Sequence, residues 1–197
     1  PEMFGAERLL MARAKNEEVF RDIVGLINDF KDYYINNGQP VYENPSPGNK
    51  AGGITTLEDK SLGCTQKSGS GEVESVIKEG ETIKSKGLTL LNGPGNDMVA
   101  VTNLAAAGCQ MVLFTTGRGT PFGGFVPTVK VSTNTELSER KKNWIDFNAG
   151  DIVQDASFED KLQELIKFVA EVASGKKTKN EINNTREIAL FKTGVTL

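Results

Sequence analysis

Leu88-Thr89-Leu90-Leu91 is a short apolar run that breaks at Asn92-Gly93-Pro94-Gly95-Asn96-Asp97, a succession of turn formers. Residues 98–107 then carry apolar side chains at helical spacing and stop at Gly108. Gln110-Met111-Val112-Leu113-Phe114-Thr115 follows and reads as a fully apolar, buried strand of the parallel type. Strand, helix and strand in that order make a βαβ unit, because parallel neighbours need a crossover connection. The pattern predicts an α/β fold: a mostly parallel sheet with flanking helices in three layers, a Rossmann-like variant. Further strands are predicted over 127–131 and 144–147, with a helical turn or two over 136–142.

The flanking helices carry their own signals. Residues 6–14 read as a short helix. Asn16 can cap a longer one, with Glu17 and Glu18 in its first turn, where acids suit the helix dipole. Phe20, Ile23, Val24, Ile27, Phe30 and Tyr34 give it an apolar face, and Asn36-Asn37-Gly38 ends it. The Pro- and Gly-rich stretch 40–53 reads as loop, and 55–60 as a short helix capped by Thr55. Ser157 with Asp160 forms a capping box for a helix whose face is Leu162, Leu165, Ile166, Val169 and Val172, ending at Gly175. The apolar stretch 188–191 is expected as an edge strand. These readings divide the chain into a helical and loop lead-in (1–66), an exposed Ser-, Gly- and Lys-rich excursion (67–86) and an α/β core (87–197).

Composition removes whole classes of function. There are 23 Lys plus Arg against 26 Asp plus Glu, a net charge of −3, where a nucleic-acid or anionic-membrane binder would be basic. No apolar run approaches the roughly 20 residues that cross a bilayer. Histidine is absent, which excludes Ser-His-Asp and Cys-His catalysis and histidine metal ligands from this chain. Cys64 and Cys109 have no metal-ligand spacing and read as reduced thiols of a cytoplasmic protein.

Ligands of open α/β sheets bind beyond the carboxyl ends of the strands. Three polar segments fall there: 92–97, 115–124 and 132–134. As parallel neighbours they would line one edge. Thr115, Thr116, Gly117, Arg118 and Gly119 are the sharpest group. Glycines free backbone N–H groups for an anion, and Arg118 can grip a carboxylate or phosphate through two bonds. A tight strand exit with a solvated arginine is the plain alternative. The loop is not a dinucleotide fingerprint, since Phe122 stands where the last glycine belongs and Gly123 comes one late. A second group is Asn49, Lys50, Ala51, Gly52 and Gly53, followed by Glu58, Asp59, Lys60 and Ser61, which mixes amide, ammonium and carboxylate groups. Glu2 and Glu7 are a third candidate, as metal or substrate ligands, against the plainer reading of solvated acids.

Long strings of the sequence are familiar as a set. Residues 1–7 (PEMFGAE), 44–64 (NPSPGNKAGGITTLEDKSLGC), 114–123 (FTTGRGTPFG), 127–134 and 144–150 resemble the altronate/galactarate dehydratase family, and specifically the C-terminal part of its much longer members. The resemblance implies a hydro-lyase: a sugar acid such as D-altronate would become 2-dehydro-3-deoxy-D-gluconate plus water, in hexuronate breakdown. Galactarate or another hexonate or aldarate is the alternative substrate. A non-catalytic sugar-acid-binding module and a purely structural dimerisation domain are different classes of reading. Dependence on Fe²⁺, or Mn²⁺ or Mg²⁺, is implied for the longer enzyme, with none expected to stay bound to these residues alone. Within the matching strings, Lys50, Glu58 and Lys60 are expected in catalysis. Asn49, Asn96, Thr115, Thr116, Gly117, Arg118 and Gly119 are expected to hold substrate. Glu2, Glu7 and Cys64 are weak metal candidates. The expected partners are a small sugar acid, upstream domains of the same polypeptide and a second copy of the chain, with neither nucleic acid nor membrane.

Overall fold

The structure is a computed structural model and describes residues 2–41 and 45–192. The chain divides into two compact units, residues 1–95 and residues 96–197.

The first unit is built on a two-stranded parallel sheet, β1 (Val73–Ile77) with β2 (Leu88–Leu91). Helix α1 (Glu7–Met11) is shorter than the sequence predicts, and Ala14 instead forms a bridge to Val73. Helix α2 (Glu17–Asn36) starts where its cap is: the Asn16 side chain accepts from Val19 N. It stops at Gly38, whose φ of +65° suits a residue without a Cβ. Ile23, Leu26 and Ile27 of its inner face close the core with Phe4, Leu10, Val73 and Leu90.

Three local expectations are corrected in this unit. Within the stretch read as loop, residues 47–51 form helix α3 (Pro47–Ala51). Pro47 sits in its first turn and the Ser46–Asn49 capping box offsets the short length. Helix α4 (Leu57–Gln66) is longer than expected and is capped by Thr56, which accepts from Asp59 N, not by Thr55. Residues 73–77, read as part of an exposed excursion, are a strand, and Val73 is wholly buried.

The second unit contains α5 (Asp97–Ala106), β3 (Val112–Thr116), β4 (Thr128–Ser132), α6 (Thr135–Arg140), β5 (Phe147–Asn148), a 3₁₀ turn (Gly150–Gln154), α7 (Phe158–Ala173) and α8 (Lys179–Ile182). The sheet runs β3-β4-β5 with both pairings parallel. Val129 and Val131 of β4 face Leu165, Phe168 and Val172 of α7, while Val112 and Phe114 of β3 face Val101 and Leu104 of α5. One helix covers each face, so this unit has three layers. Its strand order is sequential and lacks the reversal that marks a doubly wound sheet.

The α/β character and the parallel pairing hold, but the βαβ unit does not form. β2 pairs with β1 and β3 with β4, in separate sheets. Nor is β3 wholly buried: it lies at an edge, with Leu113 51% exposed. The strand expected over 144–147 is only Phe147–Asn148. The apolar face of α7 splits, Val172 being buried while Leu162 and Ile166 are exposed. Residues 188–191 are irregular, not an edge strand.

No helix among the described residues is long and apolar enough to cross a membrane.

Candidate functional site

Each unit places a polar cluster beyond the carboxyl ends of its parallel strands. The expected segments do not line one edge of one sheet. Asn49, Lys50, Gly53 and the 92–95 turn belong to the first unit, and Thr115–Gly119 to the second.

In the first unit, Lys60 and Cys64 lie one helical turn apart on α4 and so project on one side. Both reach Glu2. Lys60 Nζ is 3.4 Å from Glu2 Oε1, and the Cys64 thiol donates to Glu2 Oε2 at 3.2 Å. The same carboxylate lies against Gly95, where a Cβ would come within 2.9 Å of Oε1. Three residues singled out separately in the sequence therefore form one cluster beside the turn that follows β2. Burial first, then the hydrogen bond to Glu2 and its charge, push the Cys64 thiol up to about 11. It is a thiol and a donor here, not a thiolate ligand or nucleophile.

The other candidates of this unit serve structure or stand free. The Asn49 side chain accepts from Ser46 N and Ser46 Oγ, as a cap. Glu7 accepts from Gly5 N and from Lys31 Nζ. Burial would raise its carboxyl, but these hydrogen bonds and the Lys31 charge win and hold it below the usual value. Lys50 is exposed, and its ammonium has no hydrogen bond or ion pair among the described residues. Glu58 packs its Cγ under Gly5, where a Cβ would come within 2.8 Å, and leaves its carboxylate exposed.

In the second unit, the loop after β3 is shaped by the residues after β4. Thr116 Oγ1 accepts from Gly119 N at 2.9 Å, and Thr133 N donates to the Thr116 carbonyl at 3.0 Å. Asn134 Nδ2 donates to the Gly117 carbonyl at 2.9 Å. Gly119 takes φ +81° with Leu137 pressed against it. This leaves Thr115, Gly117 and Arg118 facing solvent, and the Arg118 guanidinium has no partner among the described residues. Asn96 is the N-cap of α5, accepting from Val99 N at 3.3 Å. Asn134 falls in the expected segment 132–134 without having been singled out in it, and Asn148 was not expected at all. Asn148 Oδ1 accepts from Gly150 N, and its Nδ2 donates to Thr135. The recurrence of an asparagine at or just beyond the end of a strand was the signal that could have found them.

Among the described residues no three His, Cys, Asp or Glu side chains stand together as a metal site. Glu2 with a protonated Cys64 offers one oxygen donor and one thiol in the wrong protonation state. The ferrous ion that the resemblance implies does not fit this donor set.

What the geometry defines is an α/β chain with an exposed arginine, unpaired among the described residues, on a glycine-rich strand exit. The family described as D-galactarate/altronate dehydratase, C-terminal, matches residues 1–196, and the chain belongs to that family. Over its whole length the chain is 67% identical to altronate dehydratase of Bacillus subtilis (strain 168) and spans 40% of that protein. It is 60% identical to altronate dehydratase of Escherichia coli (strain K12), again over 40% of the relative. Galactarate dehydratase (L-threo-forming) of Escherichia coli (strain K12) is 40% identical over 89% of this chain and 34% of its own length.

Proposed function

We propose that these residues are the C-terminal part of a hydro-lyase that dehydrates D-altronate to 2-dehydro-3-deoxy-D-gluconate. The observation that carries this reading is the 67% identity to an altronate dehydratase across the whole chain. The lower identity of 40% to a galactarate dehydratase makes galactarate the second choice.

The elimination takes the proton from C2, next to the carboxylate, and breaks the C3–O bond. The hydroxyl leaves as water after accepting a proton, and the enol becomes the 2-oxo acid. Loss of the C2 proton puts a second negative charge on the carboxylate, which needs cationic partners. Arg118 has the planar fork for that group and no competing partner among the described residues. Thr115 and Gly117 flank it for hydroxyls or backbone contacts. An Fe²⁺ requirement, or Mn²⁺ or Mg²⁺, would draw on ligands beyond the described residues. A cytoplasmic location suits the two free thiols, Cys64 and Cys109. Upstream domains of the same polypeptide are the partners this reading requires.

The test is turnover of altronate by the longer polypeptide carrying Arg118→Ala or Arg118→Lys, with 2-oxo acid formation as the readout. Both variants should lose about 10²-fold or more in kcat/KM, because lysine keeps the charge without the fork. Wild-type turnover by either one rejects the role of Arg118. Wild-type protein that turns over galactarate and not altronate rejects the substrate.

A further inference from the structure

Within residues 116–124 only Thr116 belongs to a strand, yet the C-terminal half of this loop is held from inside the second unit. Lys130, on the central strand β4, is only 1% exposed. Its Nζ donates to the Thr120 carbonyl at 2.8 Å and lies over the Phe122 ring, 5.7 Å from the centroid. A buried ammonium is costly unless opposite charges act on it. Asp146 and Glu187 are the acids that do. Asp146 is otherwise committed, accepting from the backbone N–H of Lys130 at 2.8 Å and of Lys179 at 2.7 Å.

Glu187 takes hold of the loop directly. Its carboxylate accepts from Gly123 N at 2.8 Å, and its own N–H donates to the Gly123 carbonyl at 2.7 Å. Gly123 leaves no slack there, since a Cβ would fall 2.4 Å from Asn180 Cβ. So a charged side chain from β4 holds Thr120, and one from the C-terminal segment holds Gly123. Both points lie just after Arg118. Lys130 is too enclosed to touch a substrate, which leaves it the work of holding the loop.

We propose that Lys130 and Glu187 are positioning residues: together they fix the 116–124 loop so that Arg118 is presented, already ordered, to a sugar-acid carboxylate. The clamp stands on geometry alone, while its catalytic consequence rests on the reading of Arg118 given above.

The experiment compares Lys130→Met, Glu187→Ala and Glu187→Gln in the longer dehydratase polypeptide, measuring amide hydrogen exchange of the 116–124 segment and altronate kinetics. Met keeps most of the volume of the buried lysine, and Gln keeps an oxygen for Gly123 N. Exchange of the segment should quicken about tenfold in Lys130→Met and Glu187→Ala, with β4 and α7 unchanged, and much less in Glu187→Gln. KM for altronate should rise about tenfold in the first two with kcat moved less, and Gln should restore most of it. If Lys130→Met fails to fold, the Glu187 pair decides the matter by the same readouts. Wild-type exchange in Glu187→Ala overturns the clamp and leaves Arg118 untouched. Quickened exchange with unchanged KM overturns the role of Arg118, and with it the catalytic half of the proposal, while the clamp stands.

Discussion

Glu2, Lys60 and Cys64 illustrate what a sequence conceals at the scale of single residues. Each was noticeable alone: an acid in a familiar string, and a lysine and a cysteine on one helix. Their meeting depends on the 2–6 segment folding back over α4, which no local pattern encodes. The exposed loop setting of Arg118 was legible because the glycines around it disclose an unusual backbone. Lys130 was not, because a lysine in an apolar strand reads as a break in the pattern until its partners are seen. The Cys64 environment makes a chemical prediction. With its thiol pushed up to about 11, only about one molecule in a thousand is thiolate near pH 8. Burial alone raises the Cys109 thiol, whereas Cys64 also meets the Glu2 carboxylate. Alkylation followed by peptide mass spectrometry should label Cys109 well before Cys64, and Glu2→Gln should speed labelling of Cys64 by removing the adjacent charge. Gly150 gives a second prediction. A Cβ there would fall 2.2 Å from the Asn134 Cα and 2.4 Å from the Thr135 N, both backbone atoms. Gly150→Ala should therefore cost about 1–3 kcal/mol in denaturant unfolding.

Among elements, those whose start is written in a side chain were legible. Asn16 and Ser157 cap α2 and α7 as their sequences predict. Ser157→Ala should cost about 1 kcal/mol by thermal unfolding, because the Asp160 N–H loses its acceptor. Strand β1 was hidden because its flanks are polar and it is stabilised from afar. Val73 N donates to the Arg13 carbonyl, and Lys15 N donates to the Val73 carbonyl. The stop of α1 at Met11 has the same origin, since residues 13–15 are drawn into that bridge. The contact of α1 with α2 carries a pH dependence. Glu7, paired with Lys31, has its carboxyl below the ordinary value of 4.5. A lowered folded-state value means stability that is present above the ordinary value and lost as the pH falls through the lowered one. Thermal unfolding between about pH 6 and about pH 3 should show a steeper acid loss in the wild type than in Glu7→Gln.

For the molecule as a whole, the parallel α/β character was readable and the partition was not. Residues 88–115 look like one βαβ unit because the rule concerns order along the chain, whereas pairing is decided by which strand lies alongside. Here β1 and β4 claim the two strands for different sheets. On the reading proposed above, any metal chemistry belongs to a longer polypeptide. Residues 1–197, dialysed anaerobically against Fe²⁺, should retain no stoichiometric ion, since the described donors form no trio. Tight binding of one ion would place the metal centre here. The pair of bonds between Gly123 and Glu187 joins positions 64 residues apart. During synthesis the loop leaves the ribosome well before the residue that locks it. A nascent chain interrupted between those two points can already possess its sheet but not a fixed Arg118. On the proposal made for Arg118 and Glu187, such an unfinished polypeptide would bind sugar acids poorly, and competence would arrive only once Glu187 has been added.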